Sequence, residues 1–194
     1  MYGRVLLDAY AQSGHDSFMV DLNTPSSAGD EARYPHGGPV VKFLVVAEDC
    51  PEARLAAFFA ARRARYSNAQ VVLLHVIEPG EYSHWQTVAE TMRAESYDHA
   101  EEILAEYARD VEDQWGLRPE MHIREGRVID ELLQLIEDDP AIAILVLGAS
   151  TNPEGPGTLV SALSQSPTTL GSRPVAVMIV PGSVTLQDII KMAG

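Results

Sequence analysis

The residues with the most chemical potential in this chain gather in residues 148–161: Gly148, Ser150, Thr151, Gly155, Gly157 and Ser161. They follow a continuous apolar run, 141–148, and precede an amphipathic segment, which is the pattern of a buried parallel strand feeding a ligand-binding turn. Glycines let a backbone come close to an anion, and the first turn of a following helix offers free N–H groups and the positive end of a dipole. One reading makes the stretch an anion cradle, with Gly155 and Gly157 flanked by Ser150, Thr151 and Ser161, Gly157 giving close backbone approach and Thr158 starting the helix. The other makes Asn152-Pro153 and Gly155-Pro156-Gly157 a rigid connector between strand and helix. No basic residue occurs from Ala141 to Ser172, so nothing local offsets the charge of a triphosphate.

Other reactive side chains point less clearly to chemistry. Cys50 precedes Pro51 at a helix start, where backbone N–H groups favour a thiolate, yet Glu48, Asp49 and Glu52 oppose that charge and the residue reads as a small packed thiol. His75 falls on a strand as a core or strand-end residue, and His122 alternates outward to the surface. His84 and His99 lack ligand spacing to Cys50 or to each other, so no metal site is expected. The Glu101, Glu102, Glu106, Asp110, Glu112 and Asp113 cluster is the solvated face of a helix. There is no Ser-His-Asp order, phosphate-loop lysine or paired catalytic carboxylate in a recognisable frame, so catalysis is not expected.

Positioning the glycine loop falls to a regular succession of elements. Residues 40–47 read as a strand, and Pro51 opens a helix with Leu55, Phe58 and Phe59 on one face opposite Arg62, Arg63 and Arg65. A second strand spans 70–77, and a long helix from about Trp85 to Trp115 carries the stripe Ile103, Leu104, Tyr107 and Val111, with Gly116 as its stop. Residues 120–125 alternate as a strand with one wetter face, and Gly126 starts a helix bearing Ile129, Leu132, Leu133 and Ile136 that ends at Asp138-Asp139-Pro140. After the loop come a segment over 158–165, shortened by Pro167, and an apolar run over 174–181. A capping box, Thr185 with Asp188, opens a terminal helix. Strand and helix alternate, and the strands are too continuously apolar for exposed antiparallel sheet. The expected fold class is therefore α/β, a three-layer sandwich around a mainly parallel sheet, with ligands beyond the carboxyl ends of its strands.

Composition fits one soluble domain of ordinary kind. The chain has 194 residues, 46% of them apolar, which is enough for a full core. A formal charge of -14 repels nucleic acid and anionic membranes, and no apolar run reaches the length of a membrane span. One cysteine excludes an internal disulfide and fits a reducing cytoplasm. Residues 1–40, rich in Gly, Ser, Pro and Asp, are expected to form an amino-terminal arm, residues 41–182 the domain, and 183–194 a carboxy-terminal helix.

Five stretches in order carry a resemblance: Lys42 to Ala47, Leu73 to Pro79, Ile123 to Leu132, Ile144 to Ser150 and Pro174 to Pro181. Together they resemble the universal stress protein family over about residues 40–182. The resemblance implies a five-stranded, adenine-nucleotide alpha-hydrolase-like (Rossmann-like) domain, usually a homodimer, in which some members bind ATP and others do not. Binding members share a Gly-x2-Gly-x9-Gly-Ser/Thr motif after the fourth strand and an aspartate at the end of the first. Here Gly148 matches the first glycine, Thr151 and Ser161 take the other two places, and Ala162 replaces the final hydroxyl. Glu48, next to Asp49, replaces the aspartate, so that a ribose contact could survive only in altered geometry, and the pair adds negative charge near where phosphates would lie. With Val76 on the second strand, these residues form the candidate cofactor-binding set: Glu48, Val76, Gly148, Ser150, Thr151, Gly155, Gly157 and Ser161. The resemblance implies a non-catalytic stress-response or regulatory binding module with a degenerate nucleotide site. The alternative is an adenine-nucleotide binder, taking ATP or AMP with Mg and hydrolysing it slowly or not at all. It also implies a homodimer through the final edge strand, Val175 to Val180, an apolar edge that calls for cover or pairing.

Overall fold

A computed structural model of the protein describes residues 40–78, 86–165 and 172–193; the arm expected before Val40, together with His84, Trp85 and Pro167, lies outside the described residues. Strands β1 (Lys42–Val46), β2 (Gln70–Ile77), β3 (Glu120–Glu125), β4 (Ile142–Ala149) and β5 (Ala176–Pro181) alternate with helices α1 (Pro51–Ser67), α2 (Gln86–Trp115), α3 (Val128–Asp138), α4 (Thr158–Gln165) and α5 (Leu186–Met192). All four strand pairings are parallel, in the order β3-β2-β1-β4-β5, which is the parallel α/β sheet that the strand-helix alternation predicts, with the five strands that the family resemblance implies. Among the described residues no helix is long and apolar enough to cross a membrane.

Because the central strands are covered on both faces, alternate residues of β1 enter opposite cores. Phe43 and Val45 join Val71, Leu73 and Val146 beneath α1 and α2, where Ile103, Leu104, Tyr107 and Val111 form the expected stripe. Leu44 and Val46 join Val72, Leu74, Leu145 and Leu147 beneath α3 and α4, with Leu132, Leu135, Ile136, Leu159 and Val160. A parallel sheet needs such cover, since neither face can be left to water. Arg54 ties α1 to α2, reaching Glu106 at 2.6 Å and Asp110 at 2.8 Å. At the amino ends of the strands, Lys42 bridges Glu120 at 2.5 Å and Asp139 at 2.8 Å, linking β1 to β3 and to the end of α3.

Two local expectations change. The buried face of α1 consists of Ala53, Ala56, Ala57, Ala60, Ala61 and Ala64, while Leu55, Phe58 and Phe59 are only partly buried at its margins. Alanine lets α1 lie close over β1 and β4, a spacing that large side chains beneath it would not allow. The third helix begins at Val128 and not at Gly126, which sits at φ +156 in the connection from β3. The terminal helix has its capping box: the Thr185 hydroxyl accepts from the Asp188 N–H at 3.2 Å, and the Asp188 carboxylate accepts from the Thr185 N–H at 3.1 Å.

Candidate functional site

β1 and β4 are neighbours, and the chain leaves β1 into α1 on one face of the sheet and β4 into α4 on the other. That reversal opens a crevice at the carboxyl ends of the two strands, where open α/β sheets take ligands. The crevice holds a cleft of about 80 Å3 lined by Val46, Glu48 and Cys50 from the β1 end, Ala53 from α1, Leu147 and Gly148 from β4, and Pro156 to Val160 at the start of α4. No lining residue is basic.

Gly148 is present for packing. A Cβ there would strike the carbonyl of Glu52 and lie 2.9 Å from the Ala53 nitrogen, so β4 passes against the first turn of α1 only because the position lacks a side chain. Gly157 is present for backbone sign: its φ is +102, and a Cβ would meet nothing within 4 Å. The Gly157 carbonyl accepts the Ser161 N–H at 3.0 Å, which makes Gly157 the cap of α4, one without a side chain to satisfy the first turn. The helix therefore presents its early N–H groups to the cleft.

The loop between β4 and α4 closes on itself. The Ser150 N–H donates to the Pro156 carbonyl at 3.1 Å, the Ser150 hydroxyl accepts from the Asn152 N–H at 3.1 Å, and the Gly155 N–H donates to the Asn152 carbonyl at 3.1 Å. A phosphate-gripping loop keeps such N–H groups for its ligand, and here the Ser150 N–H is already engaged.

Of the residues singled out from the sequence, Glu48, Gly148 and Gly157 line the cleft together. Ser150 and Gly155 serve the internal bonding of the loop, Thr151 is exposed, Ser161 lies within the first turn of α4, and Val76 packs one strand away against the α3 side of the core. Sequence reasoning did not place Val46, Cys50, Ala53, Leu147, Pro156, Leu159 and Val160 at the cleft. For Leu159 and Val160 the available signal was the helix start after Gly157.

Two side chains hold the β1–α1 connection by its carbonyls. The His75 Nδ1–H donates to the Ala47 carbonyl at 2.7 Å, and the buried Tyr107 hydroxyl donates to that of Glu48 at 2.6 Å, with Arg54 stacked 4.9 Å from the Tyr107 ring centre. Burial pushes the Tyr107 hydroxyl far above its ordinary range. The Glu48 side chain reaches solvent, but desolvation beside the strand ends raises its carboxyl, with His75 opposing and Glu78 reinforcing the shift. Burial likewise raises the Cys50 thiol, against the pull of the Ala53 N–H and with help from Glu48 and Glu52, so this cysteine is a packed thiol and not a thiolate. Among the described residues no group of three His, Cys, Asp or Glu side chains could hold a metal ion. The arrangement can bind through backbone donors and the Glu48 carboxyl. As it stands it does not fit a triphosphate, because ligand pockets usually enclose about 300–1,000 Å3 and polyphosphates call for cationic partners.

The universal stress protein family model matches residues 41–180. No curated protein matches. Among solved structures, the chain is similar to the universal stress protein UspA from Lactobacillus plantarum, with 18% identity and a TM-score of 0.61 over 74% of this chain and 99% of that one. It is also similar to a universal stress protein solved in complex with cAMP, with 16% identity and a TM-score of 0.53 over 75% of this chain and 100% of that one. A universal stress protein from Archaeoglobus fulgidus matches with 15% identity and a TM-score of 0.50 over 71% of this chain and 92% of that one. At these identities the likeness is one of fold.

Proposed function

The chain belongs to the universal stress protein family, and on that premise we propose that it is a non-catalytic stress-response or regulatory binding module, a cytoplasmic homodimer whose nucleotide site has degenerated. One observation carries this reading: the cleft that phosphates would enter has about 80 Å3 of room, no cation in its lining, and a loop whose Ser150 N–H is spent on Pro156. Of the family's three motif glycines only Gly148 remains, and the close passage of β4 over α1 requires it whether or not a ligand binds. Glu48, where binding members have aspartate, adds negative charge to a site that a polyphosphate would already find unscreened. A half-buried Cys50 suits a reducing compartment, and the uncharged β5 edge suits pairing with a second copy.

The second reading is an adenine-nucleotide-binding member that takes ATP or AMP with Mg and hydrolyses slowly or not at all. It is favoured by the relative solved with cAMP, and it requires the loop over residues 150–157 to open. Purified protein separates the two. The expected result is no adenine nucleotide released on acid extraction and no thermal shift with Mg-ATP, whereas a ligand at 100 times its Kd adds about 2.7 kcal/mol. Copurified nucleotide, or a stabilisation by Mg-ATP that Gly157→Val abolishes, would overturn the first reading.

A further inference from the structure

The chain has 14 lysines and arginines against 28 aspartates and glutamates, so a cation left without a carboxylate is not explained by a shortage of acids. Ion pairs take up Lys42, Arg54, Arg93, Arg118, Arg124 and Arg127. Among the described residues no ion pair reaches Arg62 or Arg63 of α1, and none reaches Lys191 of α5, where the one carboxylate of that helix, Asp188, is engaged by Thr185. These three cations meet where the end of α1 lies against the last turn of α5.

The same place carries apolar surface. Phe59, Arg62, Arg63 and Tyr66 stand at i, i+3, i+4 and i+7 and share one side of α1, so the arginines expected opposite Phe59 stand beside it. Tyr66 is 55% exposed and Ile190 43% exposed. The Arg62 guanidinium stacks on the rings of Tyr66 and Trp115, 4.6 Å and 5.1 Å from their centres, and donates to the Ile190 carbonyl at 3.3 Å. It is thus held before any partner arrives, and a carboxylate that pairs with it does not have to order it. α5 begins at Leu186, beyond the residues 41–180 that the family model matches, so the matched domain alone does not build this surface.

We infer that this surface docks an acidic amphipathic helix of a partner protein, with its apolar side on Phe59, Tyr66 and Ile190 and its carboxylates on Arg62, Arg63 and Lys191. An amphipathic helix laid on an apolar surface is a recurring mode of peptide recognition, and the three unpaired cations give the helix its sign. Charge also selects the class of partner. The screening length at physiological salt is about 8 Å, so a short segment feels the local cations and little of the formal charge of -14. A polynucleotide or a second copy spreads its own negative charge over the acidic remainder of the molecule and is repelled. The surface lies at the far end of α1 from the cleft, which meets that helix at Ala53, so its use does not depend on what the cleft holds.

The test is fluorescence anisotropy of a fluorescein-labelled helical peptide of about 14 residues, built from Glu and Leu at helical spacing, titrated with the full chain. Saturable binding is expected, and Arg63→Glu combined with Lys191→Glu is expected to weaken it by about tenfold or more. Tyr66→Ser is expected to weaken it about threefold while leaving its salt dependence that of the wild type, since it removes contact area and no charge. All three positions are exposed, so the variants keep the fold, which circular dichroism checks. No binding up to about 1 mM peptide overturns the inference, and so does equal binding by the charge-reversed variant. Equal binding of a peptide with Ser in place of Leu reduces the surface to a charge effect and rejects docking. Tighter binding of a fluorescein-labelled oligonucleotide, or self-association of the wild type that the charge-reversed variant loses in sedimentation velocity, overturns it in favour of nucleic acid or of a second copy.

Discussion

At the scale of single residues, the two glycines at the cleft separate by what each requires. Gly148→Ala forces a methyl into the backbone of α1 and is expected to cost at least about 2–3 kcal/mol in denaturant melts, at the upper end of overpacking penalties. Gly157→Ala meets no neighbour and bears only the strain of its φ, an expected loss of about 1–2 kcal/mol. Equal losses would refute the assignment of Gly148 to packing. Glu48 has a pH signature. Its carboxyl is raised by desolvation, so the ionised form is disfavoured in the folded chain, and stability recovers as pH falls through the folded pKa towards the unfolded value near 4.5. Glu48→Gln is therefore expected to stabilise the protein slightly at pH 7, solvent screening keeping the gain small, and to have no effect below pH 4. A variant less stable than wild type at pH 7 would contradict this. The chemistry at these positions was only partly legible in the sequence. Gly148 and Gly157 could be placed as glycines of a strand-to-helix loop, and Glu48 because it stands where the family resemblance expects an aspartate, whereas Leu159 and Val160 line the cleft as ordinary apolar residues of a helix start.

At the scale of elements, side chains remote from the cleft hold its walls. Tyr107 of α2 fixes the end of β1 by its bond to the Glu48 carbonyl, and Tyr107→Phe is expected to cost about 1–2 kcal/mol because that bond is lost within a buried setting. Chemical denaturation would show it, and an unchanged midpoint would exclude the role. The Lys42 bridge joins three elements, and its acid sensitivity has a definite sign. The Lys42 hydrogen bond draws Glu120 below its usual range, with burial opposing; burial pushes Asp139 up, but Lys42 and the Ala141 N–H outweigh it. Both carboxylates therefore stabilise the fold at pH values above their unfolded pKa values, near 4.5 and 3.8, and that contribution is lost as pH falls through the lower folded values. Lys42→Met is expected to cost about 1–3 kcal/mol at pH 7 and much less at pH 2.5, checked by urea melts at both. The elements themselves were legible, because four apolar runs and one alternating segment, separated by helical periods, admit little but a parallel sheet. The face of α1 was not. Leu55, Phe58 and Phe59 outweigh alanine in any count of hydrophobicity, yet close approach to a flat sheet favours the smaller residue.

At the scale of the whole molecule, the formal charge of -14 works against any compact or associated state, and salt should relieve it. The melting temperature is expected to rise between 20 mM and 500 mM NaCl, and a fall would mean that the bridges of Lys42 and Arg54 outweigh the general repulsion. The alanine face of α1 also bears on motion. Alanine loses almost no rotamer freedom when buried, and α1 touches β1, β4 and β5 on the sheet as well as α2 and α5, so local opening of this helix would disrupt most of one core at once. Its amides should then exchange with solvent only when the entire domain unfolds, while those of the loop over residues 150–157 exchange by small fluctuations. Between them they would give the cleft one wall that stays fixed on the timescale of hours and another that moves.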